Sequence, residues 1–151
     1  MKREKIYLDT SVVSAYFDKR LKQRQEDTGV FFKTMVPHYE VYVSEITIRE
    51  LSETKNAVLR EKFLRTIKGF KVLRINPQIG ELAEKYIKDN VFPRKYFDDA
   101  LHIAVASYYK MSCLVSWNFE HIVKVKTRRL VNFENKLNSL GTLEIVSPLE
   151  L

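Results

Sequence analysis

Four residues of this chain combine a reactive type with a telling position: Asp9, Glu50, Asp99 and Asn118. Asp9 closes the apolar run 6–8, and Glu50 sits among Ile46, Ile48 and Leu51. Asp98 and Asp99 open the sequence Asp-Asp-Ala-Leu-His-Ile-Ala-Val-Ala, which is too apolar for a surface helix. Asn118 follows the apolar stretch 113–116. Each residue has a plain structural use. Asp9 can cap a following helix, Glu50 can be a solvated helix residue, two acids in a first turn complement the helix dipole, and Asn favours turns. Three carboxylates brought together repel one another and are costly without a cation. A hard divalent ion resolves that conflict through oxygen ligands. The chemistry this would support is attack on a phosphodiester, with the ion acting on the phosphate.

The elements that must position these residues alternate. Residues 5–9 read as a strand, followed by a helix from Thr10-Ser11 through Phe17 and a second helix over 23–36. A strand at 39–43 precedes a helix capped by Ser44, and 57–67 is helical. A third strand at 70–75 leads to a helix opened by Asn76-Pro77, with Pro at its first position. Residues 96–109 form a strongly apolar helix and 113–116 a fourth strand. A polar helix over 126–140 stops at Gly141, before a fifth strand at 143–146. Strands separated by helices define a parallel α/β sheet. In such a sheet, ligand sites lie beyond the carboxyl ends of the strands. Asp9, Asp99 and Asn118 fall at junctions on that edge, and Glu50 reaches it from its helix. Asp99 shares a helical face with Ile103 and Ala106, whereas Asp98 shares one with His102. Asp99 is therefore the better placed of the pair.

The 151 residues suit one domain over 1–151. With 26 Lys and Arg against 19 Asp and Glu, the formal charge of +7 suits a polyanionic partner without naming it. One cysteine, Cys113, excludes an internal disulfide framework and a cysteine-based zinc cluster. A charged start without an apolar signal core, and no apolar run near the roughly 20 residues of a membrane span, leave a cytoplasmic protein as the expectation. Two basic clusters stand out. Residues 55–74 carry seven basic side chains and one acid, and Lys124, Lys126, Arg128 and Arg129 follow the Asn118 segment. Lys126, Arg128 and Arg129 are the better candidates for contact with a phosphodiester polyanion because they lie close to a site residue in sequence.

The chain resembles the PIN domain family, and within it the VapC-type toxins of toxin–antitoxin pairs. The resemblance rests on Tyr7-Leu8-Asp9-Thr10-Ser11-Val12, on residues 44–51, on Asp99 through Ala106, and on Leu114-Val115-Ser116-Trp117-Asn118-Phe119. It implies a three-layer fold with a central, mainly parallel five-stranded sheet flanked by helices. It implies Mg²⁺- or Mn²⁺-dependent endoribonuclease activity, a homodimer, and an antitoxin protein that blunts the activity. It maps the acids onto Asp9, Glu50 and Asp99, with Asn118 at a fourth position that is often Asp and Asp98 as the substitute ligand at hand. Thr10 and Ser11 would add hydroxyls. In this scheme Asp9 and Asp99 hold the ion, Glu50 completes its shell or orients the attacking water, and Asn118 positions a water or the phosphate.

Three rivals stay open at this stage. An Asp-nucleophile phosphotransferase would use Asp9 but wants an acid two residues on, where Ser11 stands. A PIN-like protein that binds RNA or a partner without cutting is kept open by Asn118. A housekeeping RNA-processing nuclease would share the chemistry.

Overall fold

The computed structural model describes residues 2–151. Five parallel strands, β1 (Lys5–Leu8), β2 (Glu40–Ser44), β3 (Lys71–Leu73), β4 (Cys113–Val115) and β5 (Glu144–Val146), form one sheet in the order β3-β2-β1-β4-β5. Every pairing is parallel. Seven α-helices connect them: α1 (Thr10–Ala15), α2 (Lys22–Val30), α3 (Glu45–Ser52), α4 (Ala57–Ile67), α5 (Pro77–Lys88), α6 (Phe97–Tyr108) and α7 (Val125–Leu137). Among the described residues, no helix is long and apolar enough to cross a membrane.

The layers follow from strand alternation. Ile6 and Leu8 face one way and join Val41, Val43, Cys113 and Val115 in a core with Val12 of α1, Leu51 of α3, Phe63 and Ile67 of α4, and Phe31 just past α2. Tyr7, Tyr42, Leu114 and Ile145 face the other way, against Ile79, Leu82 and Tyr86 of α5 and Ile103 and Val105 of α6. Helix α6 is buried throughout from Ala100 to Ser107. Burial of a side chain such as Ile103 favours folding by about 2 kcal/mol. The central strands, covered on both faces, read as apolar runs; β3, β4 and β5 are each three residues long.

Most boundaries agree with the sequence pattern, and α4 runs over 57–67 as expected. The helix expected over 23–36 instead changes gauge: α2 ends at Val30 and continues as a π turn, Phe31–Met35, and a 3-10 turn, Val36–His38. The last helix does not run on to Gly141. It ends at Leu137, and Ser139 takes the left-handed conformation with φ 58°. Asn90 and Lys110 do the same after α5 and α6. In each case the next residue returns a backbone N–H to the carbonyl five positions back: Val91 to Tyr86, Met111 to Ala106, Leu140 to Asn135. These are Schellman caps built without glycine. Val91 and Met111 are buried in the core, and that anchors a conformation their neighbours would otherwise avoid.

Candidate active site

Strand order reverses at β1: the chain builds outward to β2 and β3 on one side, then to β4 and β5 on the other. The crevice between β1 and β4 is the switch point at which open α/β sheets take ligands. Asp9 lies at its mouth. Its N–H donates to the Val115 carbonyl at 3.0 Å, which continues the sheet by one residue. Asp9 occupies the N-cap position of α1, yet its side chain does not cap the helix. The carboxylate instead accepts hydrogen bonds at Oδ2 from Ser11 Oγ (2.6 Å) and Ser116 Oγ (2.8 Å). Those serines are held in turn by the N–H groups of Trp117 (to Ser11 Oγ) and Asn118 (to Ser116 Oγ), both at 2.9 Å. The loop after β4 is thus stitched to the acid after β1.

Glu50 arrives from α3, whose start is fixed by a capping box between Ser44 and Thr47. Its Oε1 accepts from Thr10 Oγ1 (2.7 Å) and lies 2.6 Å from His102 Nε2. His102 is 1% exposed and projects from α6. Its Nδ1 is 2.5 Å from the Tyr7 hydroxyl, which also lies 2.8 Å from Ser44 Oγ. Its Nε2 stands 3.5 Å from Asp9 Oδ1. His102 is therefore the hub that joins β1, α1, α3 and α6. Burial disfavours a charged ring, but Tyr7, Glu50 and Asp9 outweigh it and hold the imidazole well above its ordinary pKa. Burial also works to raise Glu50; the bonds from His102 and Thr10 win, and its carboxyl lies below the usual range.

Asp99 is the acid whose charge is least matched. Burial, reinforced by the charge of Asp9, pushes its carboxyl up to about 7 despite the attraction of His102. Its neighbour is Asn118, whose Nδ2 approaches Asp99 Oδ2 at 3.5 Å. The other end of that amide is spoken for, because Asn118 Oδ1 accepts the N–H of His121 at 2.9 Å. Asn118 thus offers the site a donor, not an oxygen.

The structure brings together Asp9, Glu50, Asp99 and Asn118. It does not bring in Asp98, whose Oδ1 lies 2.9 Å from Arg49 Nη2 on the outer face of the helix. Asp98 is a surface ion-pair partner and not the substitute ligand its sequence position suggested. Of the basic trio, Lys126 and Arg129 are exposed. Arg128 is tied down: its Nε donates to the Ile145 carbonyl at 3.0 Å and its Nη2 lies 3.7 Å from Glu150. The 55–74 cluster is also engaged locally, through Arg60 to the Thr54 carbonyl, Arg65 to Glu61 and Lys71 to Glu40. His102 is the residue that sequence reasoning missed. It was grouped with Asp98, four positions back, while its i−3 relation to Asp99 was the informative one.

This site lies on the fold of a known family. The sequence model of the PIN domain matches residues 6–119, and the chain belongs to that family. No curated protein matches it at a significant level. Among solved structures, FitAcB from Neisseria gonorrhoeae is similar at a TM-score of 0.61 and 16% identity, over 97% of this chain and 99% of that one. VapBC-1 from nontypeable Haemophilus influenzae is similar at 0.60 and 16%, over 96% and 98%. VapC20 from Mycobacterium tuberculosis, a sarcin-ricin loop cleaving toxin, is similar at 0.59 and 15%, over 77% and 92%. At these identities the likeness establishes the fold.

Proposed function

We propose that this chain is a divalent-metal-dependent endoribonuclease and the toxin of a toxin–antitoxin pair. The observation that carries the reading is the convergence of Asp9, Glu50 and Asp99 at the β1/β4 switch point, with the Asp99 charge left unmatched. The donor set fits Mg²⁺ or Mn²⁺, since Asp9, Glu50 and Asp99 offer hard carboxylate oxygens. Among the described residues, no three His, Cys, Asp or Glu side chains are gathered tightly enough to make a ready chelate. The set therefore suits an ion that keeps part of its water shell, as Mg²⁺ commonly does.

When bound, such an ion supplies charge neutralisation at the phosphate and a more acidic water. Asp9 and Asp99 would hold it, directly or through its waters. The two serine hydroxyls keep Asp9 in place, and Asn118 Nδ2 steadies Asp99 or the phosphate. Glu50, held ionised by His102 and Thr10, would complete the ion's shell or orient the attacking water. The +7 charge and the family's chemistry favour RNA as substrate. The toxin–antitoxin neighbours support an antitoxin partner, and a homodimer in the cytoplasm belongs to the same reading.

The test is cleavage of RNA by purified wild type, with and without Mn²⁺, beside Asp9→Asn and Asp99→Asn. Cleavage should need the metal and fall at least a hundredfold, on the order of 3 kcal/mol in barrier, in each folded variant. Undiminished cleavage by both variants sinks the proposal. A second reading, a PIN protein that binds RNA without cutting, is favoured by the amide that Asn118 presents where a fourth acid would stand. It is distinguished by Mn²⁺ titration: a binder need show no difference between wild type and Asp99→Asn.

A further inference from the structure

We propose that Arg24 and Phe119 form a nucleotide subsite beside the acid cluster, which holds the phosphate and base of the residue flanking the cleaved bond. The nature of the occupant rests on the ribonuclease reading above; the surface itself is read from geometry.

Trp117 sets it up. Its ring is 5% exposed, and its Nε1–H donates to Thr28 Oγ1 at 2.9 Å. Thr28 in turn donates to the Arg24 carbonyl at 2.6 Å. These bonds fasten α2 to the loop after β4. They also place the Arg24 guanidinium carbon 5.1 Å from the Trp117 ring centre and 5.8 Å from that of Phe119. Phe119 stands at 71° to the indole and is 45% exposed. A large aromatic ring left in solvent beside a cation is not needed for packing. It is the arrangement with which proteins take single-stranded nucleic acid: a ring face for a base and a stacked guanidinium for the backbone.

The charges agree. Of the three acids on the same segment, Asp18 takes both Arg20 Nε and Nη2 and Asp27 takes the Gln23 amide, while Glu26 is exposed two residues from Arg24 and so on another face of the helix. A guanidinium lying on an indole keeps its N–H edge free to fork onto phosphate oxygens. Position agrees as well. A cleft of about 260 Å³ lies between this cation and two neighbours of the acids, bounded by Ser11, Asp18, Leu21, Arg24, Trp117 and Asn118. Ser11 bonds Asp9 and Asn118 approaches Asp99, so the cleft shares its inner wall with the acid cluster. A phosphate in the cleft would meet Arg24, with Asp18 on the same wall already paired with Arg20, and the acid cluster lies behind Ser11 and Asn118. A base unstacked onto Phe119 requires a single-stranded substrate at that step.

Trp117 is the only tryptophan of the chain and reports on its own cover. The experiment uses the full chain carrying Asp99→Asn to prevent cutting, titrated with an eight-nucleotide single-stranded RNA and with a duplex of the same sequence. Trp117 emission and fluorescence anisotropy of the RNA are both read. The single strand should change Trp117 emission saturably, and the duplex should not. Phe119→Leu should weaken binding about tenfold. Arg24→Gln should weaken it similarly and lower the slope of log affinity against log salt by about one. Lys88→Gln, exposed on α5 and outside both basic clusters, should leave binding unchanged. Should Arg24→Gln unfold, Phe119→Leu decides, because that ring is exposed. Emission unmoved at saturating RNA, wild-type affinity in Phe119→Leu, or a Trp117 response to a partner protein alone would overturn the subsite. A wild type that binds RNA here but cuts none refutes the nuclease reading and leaves the subsite standing. Unimpaired cleavage and binding in Phe119→Leu and Arg24→Gln refute the subsite alone.

Discussion

Two polar clusters lie buried on the α5–α6 side of the sheet, and they are built on opposite principles. In one, Tyr86, Asn135 and Ser107 close on themselves. The Tyr86 hydroxyl donates to Asn135 Oδ1, and Asn135 Nδ2 donates to Ser107 Oγ at 2.9 Å. Every member is neutral and at most 3% exposed. In the other, Asp9, Glu50, Asp99 and His102 are all ionisable, three of them are acids, and Asp99 keeps a half-open position with no cation of its own. A closed neutral network contributes to stability and asks for nothing more. An open charged one is costly unless something else completes it. The first fixes α5, α6 and α7 to one another; the second is where a ligand is wanted.

That contrast can be broken or sharpened by substitution. The largest effect belongs to Asp9→Asn, which should reduce RNA cleavage by about a thousandfold or more while the circular dichroism spectrum is kept. Tyr86→Phe should leave the cleavage rate per folded molecule as it was. Next is His102→Ala, which strips Glu50 and Tyr7 of a buried partner. It should cost about 3 kcal/mol in urea unfolding. It should also slow cleavage, and equal activity per folded molecule would show that the hub does not orient Glu50. Asn135→Ala, which removes the neutral hub, should cost about 2 kcal/mol with no change in cleavage per folded molecule.

Asp99→Asn runs the other way. The fold raises this carboxyl from an ordinary 3.8 to about 7, so it favours the neutral form. The resulting penalty is absent below about pH 4, grows as pH rises, and is complete above about 7. Metal-free Asp99→Asn should thus be more stable than wild type by on the order of 1–2 kcal/mol at pH 8, and the gain should vanish by pH 4. Thermal unfolding across that range checks the sign, and Mn²⁺ should narrow the gap at pH 8 by stabilising wild type alone. The smallest effect is expected from Lys126→Gln with Arg129→Gln. These exposed cations should alter RNA affinity a few-fold in low salt and folding stability by less than about 0.5 kcal/mol.

The alternation of strands and helices was legible because apolar periodicity reflects which face is buried, and here both sheet faces are. Helix starts were legible too: Ser44 and Asn76 carry their capping partners within three residues. Helix ends were less so. Gly141 looked like the stop after α7, but the chain turns at Ser139, where the Leu140 N–H returns to the Asn135 carbonyl. Asp9 and Asp99 could be picked out because each borders an apolar segment at a predicted junction; Glu50, inside a helix, stood out only in combination with them and with the family resemblance. His102 could not, since a histidine inside an apolar helix looks the same whether it packs or joins a polar site. Only the arrival of Tyr7 and Glu50 from other elements makes the difference. Asp98 against Asp99 was decided in part by helical geometry and in part by Arg49, 49 residues away in sequence.

The sequence by itself determined a basic, single-cysteine α/β domain with acids at the carboxyl ends of its strands, because composition and period are local properties. The pairing order decided the rest. Putting β4 beside β1 brings Ser116 and Asn118 to Asp9, and packing α6 on that seam puts His102 among the acids. Clamping α2 onto Trp117 then sets Arg24 beside Trp117 and Phe119. Those contacts join residues up to 107 positions apart, and no local pattern encodes a distance of that kind.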